Sequence, residues 1–504
     1  MVGRFRGMQK PESRLQTSNV ATCGPNAAST SSLEKLREFL ETQRMKTKTG
    51  SRSFAEFERE LHERVMALER ELLAVEMAKF DIDAAAIVIE GKVHRRVLRQ
   101  SHTYTTMAGD VVLERTLYKD RKDEEGHCVS PLELTLGIVG DFWTPHAAHQ
   151  ALWVVTQMTP KKAEELFKRI GNMTPSKSSL DRLPKLVSER WEGDREVLEQ
   201  ALREGLVIPE GAVSIAVSLD GVLAPIDGAN SPTEVRAAAA AEGRTSKGPA
   251  GYREASCATV SFCDDKGDLL GAIRMARAPE SKKVTLKQML TEEVSAILLA
   301  QPNLQLVKIA DGAADNWDFL SSAKLPKSDE AIDFYHASEH LHTALAAVYG
   351  DGTLETRHRH EKLRETLRDE EGGIDKVIRA LKHLAAKNAR KDAPTRELAY
   401  FRKHRKRMRY AALKEKGFMI GSGVVEAACK TLVTQRLKQS GMRWSVSGAQ
   451  AILTPRGWDQ SERFDKAWAL IAATFQIEVT VFANVLAFKP RPAPKKKPLA
   501  HVSR

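Results

Sequence analysis

Two short apolar runs each deliver an Asp-Gly pair, and this repetition constrains the chain more than any other feature. Val213-Ser214-Ile215-Ala216-Val217-Ser218-Leu219 leads into Asp220-Gly221, and Leu304-Gln305-Leu306-Val307-Lys308-Ile309-Ala310 leads into Asp311-Gly312. Runs of this length and β-branched content predict buried strands, each with an acid at its end. Strand-end Asp-Gly is also an ordinary turn signal, so neither pair is decisive alone. Between them, Glu254 to Phe262 and Leu269 to Met275 flank Asp264-Asp265-Lys266-Gly267-Asp268, the pattern of a hairpin. A helix is predicted from about Ser281 to Leu299, and Ala331 to His336 predicts a fifth strand leading into a helix.

Three antiparallel strands, a helix, a strand, a helix and a strand give the skeleton of an α/β ribonuclease H-like core. Its third acid is sought in Gly421-Ser422-Gly423-Val424-Val425-Glu426, where two glycines turn the chain into a helix with Glu426 in the first turn. A carboxylate there is favoured by the helix dipole, which is also an ordinary capping role. Positions Cys429/Lys430, Val433 and Leu437 continue one face of that helix. Together Asp220, Asp311 and Glu426 suit Mg²⁺, a hard ion that takes oxygen ligands, with Mn²⁺ as a substitute and room for two ions. Two such ions activate an attacking oxygen and stabilise a leaving one in phosphoryl transfer. Two motif matches fail. Asp311 does not open an EF-hand, because position twelve of that loop is Ser322. The Gly421–Glu426 segment imitates a dinucleotide fingerprint but has Glu at its last glycine position and no parallel βαβ unit after it.

At 504 residues the chain holds several domains, and 78 Lys+Arg against 66 Asp+Glu give a net charge of +12, which favours a polyanionic partner. Five cysteines (Cys23, Cys128, Cys257, Cys263, Cys429) are odd in number and form no CxxC pair, arguing for a reducing compartment. With no apolar run of about 18 residues and no signal peptide, a soluble cytoplasmic protein without membrane contact is expected.

Seven segments are expected. Residues 1–50 are read as disordered. Residues 51–140 carry an amphipathic helix from Phe54 to about Phe80, then a hairpin over 102–119 that turns at Ala108-Gly109-Asp110. Residues 141–205 have the outline of a helix-turn-helix, with Lys177 and Arg182 near the start of a Ser-capped helix where they reach phosphates or base edges. Residues 206–342 are the first part of the core, interrupted by an Ala/Gly-rich loop over about 228–251. A helical insertion, 343–416, carries the dense run Arg402, Lys403, Arg405, Lys406 and Arg407, suited to several phosphates. Residues 417–488 return to the core with Glu426. Lys430, Arg436, Arg443 and Trp444 are candidate DNA contacts there, the indole either stacking on a splayed base or packing in the core. Residues 489–504 are a basic, proline-rich tail.

The motifs SLDGV (218–222), YREASCATVSF (252–262), IADGAADNWDFL (309–320), DFYHASEHL (333–341) and GSGVVEAACKTLVTQRLKQSGMRW (421–444) resemble the DDE transposases of bacterial insertion sequences, specifically the ISKra group. The resemblance spans about residues 54–480. It implies a ribonuclease H-like domain that binds double-stranded DNA at element ends, cleaves it and joins the freed 3′-hydroxyls to target DNA, working as a homo-oligomer on DNA. By position Asp220, Asp311 and Glu426 match the carboxylate triad, with Asp333 competing for the second place. His336 and His340 are then candidates for contacts to the ligands or the substrate. The chain departs from the family pattern at Thr454-Pro455-Arg456, where proline falls inside a predicted helix and withholds an N–H. A hydrolytic nuclease of the same fold and an inactive DNA-binding descendant are the alternative readings.

Overall fold

The computed structural model describes residues 31–45, 53–120, 122, 126–226 and 251–482. The expected disorder before residue 31, the Ala/Gly-rich stretch over 228–250, the basic tail from 489 and Cys23 lie outside them. The chain divides into two compact units, Met1–Glu71 and Leu72–Arg504.

In the first unit, α1 (Ser32–Met45) falls within the segment read as disordered. The segment carries two helix signals. Leu33, Leu36, Phe39 and Leu40 have helical spacing, and Ser31 with Glu34 forms a capping box, with reciprocal backbone bonds of 3.2 and 3.0 Å. The long helix is α2 (Phe54–Ala78). Phe39 stacks on Phe57 with centroids 5.6 Å apart, and the Arg64 guanidinium lies 4.7 Å over the Phe39 ring.

After the last residues of α2, which belong to the second unit, that unit continues with β1 (Ala86–Ile89), β2 (Lys92–Thr106) and β3 (Gly109–Lys119). With a C-terminal strand, β9 (Val479–Val481), they form a sheet of order β3-β2-β1-β9. The hairpin between β2 and β3 turns at Met107-Ala108, because Thr106 pairs with Gly109; Gly109 and Asp110 belong to the strand instead of the turn. Helices α3 (Pro131–Leu136), α4 (Pro145–Gln157), α5 (Pro160–Ile170), α6 (Lys177–Gly193) and α7 (Arg195–Arg203) follow. Gly171 ends α5 at φ 84°, a left-handed conformation that glycine adopts freely. Ser176 then caps α6 by accepting the Ser179 N–H at 3.1 Å.

The core sheet has order β6-β5-β4-β7-β8. It is built from β4 (Ser214–Pro225), β5 (Tyr252–Cys263), β6 (Leu269–Arg277), β7 (Gln305–Ala310) and β8 (Asp329–Ile332). β4, β5 and β6 are mutually antiparallel, whereas β7 and β8 run parallel to β4. Helices α8 (Val284–Ala300), α9 (Ala314–Leu320) and α10 (Phe334–Tyr349) connect and follow these strands. Phe334, Tyr335 and His336 were expected to end the fifth strand, but they open α10. Asp333 accounts for this: its side chain accepts the His336 N–H at 2.6 Å and starts the helix.

Helices α11 (Leu354–Asp369), α12 (Gly373–Lys387), α13 (Asp392–His404) and α14 (Tyr410–Glu415) form the insertion. The chain returns through α15 (Gly423–Ala428), a π turn (Cys429–Thr434) and α16 (Gln435–Leu437), then α17 (Val446–Gln460) and α18 (Phe464–Ala473). Pro455 does not end α17, which continues through it.

The two ends of β4 enter different cores. Ile215, Val217 and Leu219 meet Leu290, Val294 and Ile297 of α8 and Leu341 and Leu345 of α10. Ala224 and Ile226 meet Val425, Ala428 and Leu432, with Ala449 and Leu453 of α17 behind them. Each fully buried leucine or isoleucine contributes about 1.5–3 kcal/mol, so both cores fix the strand.

Candidate active site

Register brings the acids together. The β4–β7 ladder runs from Ser214↔Gln305 to Ser218↔Ile309, so Asp220 and Asp311 each lie two residues beyond its last rung. Asp220 is not at the end of its strand, however. β4 continues to Pro225 along β5, with Asp220 opposite Cys257, so Asp220-Gly221 is not a turn. Ala310 pairs with Ile332 in the β7–β8 ladder, which sets Asp311 and Asp333 at the ends of adjacent strands. Asn316 of α9 is a buried tie at this edge, donating to the Leu219 carbonyl at 3.3 Å and to Asp311 Oδ1 at 3.2 Å.

Asp220 Oδ1 accepts the Gly221 N–H at 2.7 Å, and the Cys429 thiol approaches Oδ2 at 3.8 Å. Burial raises the Asp220 pKa; the Gly221 bond opposes this, Asp311 adds to it, Lys283 lowers it and Glu254 raises it. Glu426 occupies the first turn of α15, with its carboxylate 3.4 Å from Ser422 Oγ. Its pKa is also raised, first by partial burial and then by Asp333 and Asp220, against the Ser422 bond. Asp220 thus feels the charge of Asp311, and Glu426 feels those of Asp333 and Asp220.

Asp333 is 1% exposed, and both of its oxygens are engaged: Oδ1 by the His336 N–H and Oδ2 by the Ser422 N–H. His336 and His340 lie beside it on α10, with Nε2 atoms 3.2 Å apart, and His340 Nδ1 is 2.5 Å from Glu397 of α13.

Several residues around the acids carried no sequence signal. Lys283, in the left-handed region at φ 56°, pairs with Glu254 at 2.8 Å and reaches Asn316 Oδ1 at 3.5 Å. Glu254 in turn covers Gly221, where a Cβ would stand 2.2 Å from its carboxylate oxygen. Backbone strain in two successive residues, Lys282 and Lys283, marks this corner.

The candidate DNA contacts separate into two groups. Lys177, Arg182, Arg402, Lys403, Lys406, Lys430 and Arg443 are exposed. Arg405 is also exposed but pairs with Asp375 at 2.5 Å. Arg407 pairs with Glu330 at 2.7 Å and covers the Trp317 ring at 3.9 Å. Arg436 contradicts its assignment: it is 1% exposed and donates to the Val155 carbonyl at 3.3 Å. Burial, with Arg456 nearby, lowers its pKa to about 10. It lies on the buried stripe Val425, Ala428, Leu432, Arg436, a spacing that was visible in the sequence. Trp444 is half-buried; its indole donates to the Leu437 carbonyl at 3.1 Å, and Arg436 lies 5.2 Å over its ring, so packing is its observed role.

Among the described residues no three His, Cys, Asp or Glu side chains form a ready-made ion cage, and no helix is long and apolar enough to cross a membrane. No family model matches the chain, and no curated protein matches it. Among solved structures the chain is similar to a Drosophila P element transposase strand transfer complex, at 11% identity and a TM-score of 0.25. That match covers 66% of this chain and 82% of the other.

Proposed function

We propose that the chain is a DNA strand transferase of the insertion-sequence transposase type, with a ribonuclease H-like core and Asp220, Asp311 and Glu426 as its carboxylate triad. The observation that carries this reading is the shared register of Asp220 and Asp311 beyond one parallel ladder, with Glu426 electrostatically coupled to Asp220. The donors suit Mg²⁺ because they are all oxygens; burial first, and neighbouring carboxylates second, raise the pKa values of Asp220 and Glu426, and a bound cation would favour their ionised forms. Asp333 is the weaker ligand candidate because both of its oxygens already accept backbone N–H groups.

Asp220, Asp311 and Glu426 would hold the ion, which supplies activation of an attacking oxygen and neutralises charge on the leaving one. The remaining work falls to the chain. Asn316 keeps Asp311 in register with β4, and Ser422 braces Glu426. Arg402, Lys403 and Lys406 present cations to the phosphate backbone, and Lys177 and Arg182 do so from α6.

The test is to incubate the protein with Mg²⁺ and duplexes carrying the sequences that flank its gene. Products in which a 3′ end has been joined to a second duplex support the transferase. Cleavage without joining indicates a nuclease, and binding without metal-dependent chemistry indicates a DNA-binding descendant.

A further inference from the structure

The helical insertion directs Tyr400 into the acid end of the core sheet. Tyr400 of α13 has a buried hydroxyl with no hydrogen-bond partner among the described residues. Its ring lies against the Gly312 backbone, where a Cβ would stand 2.6 Å from Tyr400 Cε2 and 3.0 Å from Oη. Glycine is therefore required beside Asp311 by the approach of this ring. Burial raises the phenol pKa well above its ordinary value, and Asp311 leads the charges that add to the effect, ahead of Asp333 and Glu397. The phenol stays neutral and keeps a proton to donate.

The ring is held from several sides. His340 stacks on it with centroids 3.8 Å apart and an interplanar angle of 18°. His404 lies at 4.8 Å and Phe401 at 5.9 Å. His340 is itself fixed by the buried Glu397 at 2.5 Å. An unpaired buried hydroxyl costs about 1–3 kcal/mol, and here the surrounding rings restrain the phenol from turning elsewhere to find a partner. Asp311 is the residue next to Gly312, and the two bonds to its carboxylate, from Ala313 N–H at 3.1 Å and from Asn316, both fall on Oδ1.

We propose that Tyr400 is a positioning residue for Asp311, its hydroxyl bonding the carboxylate when the acid end takes up a divalent cation. This rests on the assignment of Asp311 as a metal ligand. It links the insertion to the chemistry, because α13 carries the exposed Arg402 and Lys403 as well as Tyr400. Groups that orient metal-binding carboxylates typically contribute 10- to 100-fold in metal affinity.

The test is Mn²⁺ binding to the full chain, followed by electron paramagnetic resonance, with the melting temperature recorded for each variant. Tyr400→Phe keeps the ring and its stacking and removes only the unpaired hydroxyl. The expected result is affinity lowered about 10-fold with the melting temperature unchanged or higher. Adding Tyr400→Phe to Asp311→Asn should weaken binding no further, since the hydroxyl acts through that carboxylate. Wild-type affinity in Tyr400→Phe overturns the proposal and leaves the ligand assignment standing. Affinity and melting temperature falling together also overturn it, because that describes packing. A wild-type protein that binds no Mn²⁺ overturns the ligand assignment and this proposal with it.

Discussion

Asp333 Oδ2 accepts the backbone N–H of Ser422, joining the start of α10 to the loop that delivers Glu426. The Phe334 N–H reinforces the joint by donating to the Ile420 carbonyl at 3.0 Å. An acid that reads in sequence as a rival catalytic group is thus a clasp between two segments on either side of the insertion.

Asp333→Asn should therefore destabilise the fold, because an amide offers one acceptor oxygen where two N–H donors are now satisfied. The expected loss is about 1–3 kcal/mol in urea denaturation. Asp311→Asn retains an oxygen for Ala313 and Asn316 and should change stability by less than about 1 kcal/mol. Equal losses in the two variants would contradict this division of roles.

The raised pKa of Asp220 has a definite sign. An acid whose folded pKa exceeds its ordinary value of 3.8 contributes stability that is full below that value and is lost as pH rises through the folded value. Asp220→Asn should melt higher than wild type at pH 7, with the gap closing towards pH 4. Adding Mg²⁺ should raise the wild-type melting temperature and leave that of the variant unchanged. A lower melting temperature for Asp220→Asn at neutral pH would sink this account.

Glu199, buried on α7, offers an independent check away from the acids. Burial, with Glu192 and Glu292 adding, pushes it up to about 7 against the pull of Arg195 and Arg203. The protonated form is favoured in the fold, so its contribution is present below pH 4.5 and disappears as pH rises through about 7. Glu199→Gln should flatten stability between pH 5 and 8, a difference on the order of 3 kcal/mol. Arg203 keeps its 2.9 Å bond to Glu292 in that variant. Parallel melting curves for variant and wild type across this range would refute the shift.

The π turn after Glu426 depends on Arg456. Its guanidinium donates to the carbonyls of Leu432, Thr431 and Thr156, two of them within the π turn. Arg456→Lys cannot reach all three with one ammonium group, and each orphaned carbonyl costs about 1–3 kcal/mol. A marked drop in melting temperature is expected, and wild-type stability would show that the π turn holds without this brace.

The five core strands, the acids at 220 and 311 and the glycine entry to Glu426 were legible because periodicity, length and turn residues are local signals, whereas β1, β9, the first half of β2 and the run of β4 beyond Asp220 were not, because pairing with other strands defines them. Phe334 to His336 were misread because a short apolar run does not distinguish a strand from a capped helix start. Tyr400, Lys283 and Asn316 were invisible for a different reason. Their relation to Asp220 and Asp311 exists only after β4 and β7 pair and the insertion folds back. Arg436 could have been recognised as buried from its place on the apolar stripe, but its cationic neighbours Lys438 and Arg443 drew it into a surface reading.

The most direct measurement is single-turnover processing of the gene-flanking duplex in Mg²⁺ by wild type, Asp220→Asn, Asp311→Asn, Asp333→Asn and Glu426→Gln, each first shown to be folded and to bind the duplex. Rates lowered at least about 100-fold in the Asp220, Asp311 and Glu426 variants, with Asp333→Asn retaining metal-dependent chemistry once its lower stability is allowed for, is the predicted result. Full activity in Asp311→Asn, or abolished chemistry in a well-folded Asp333→Asn, would contradict the assignment of the triad.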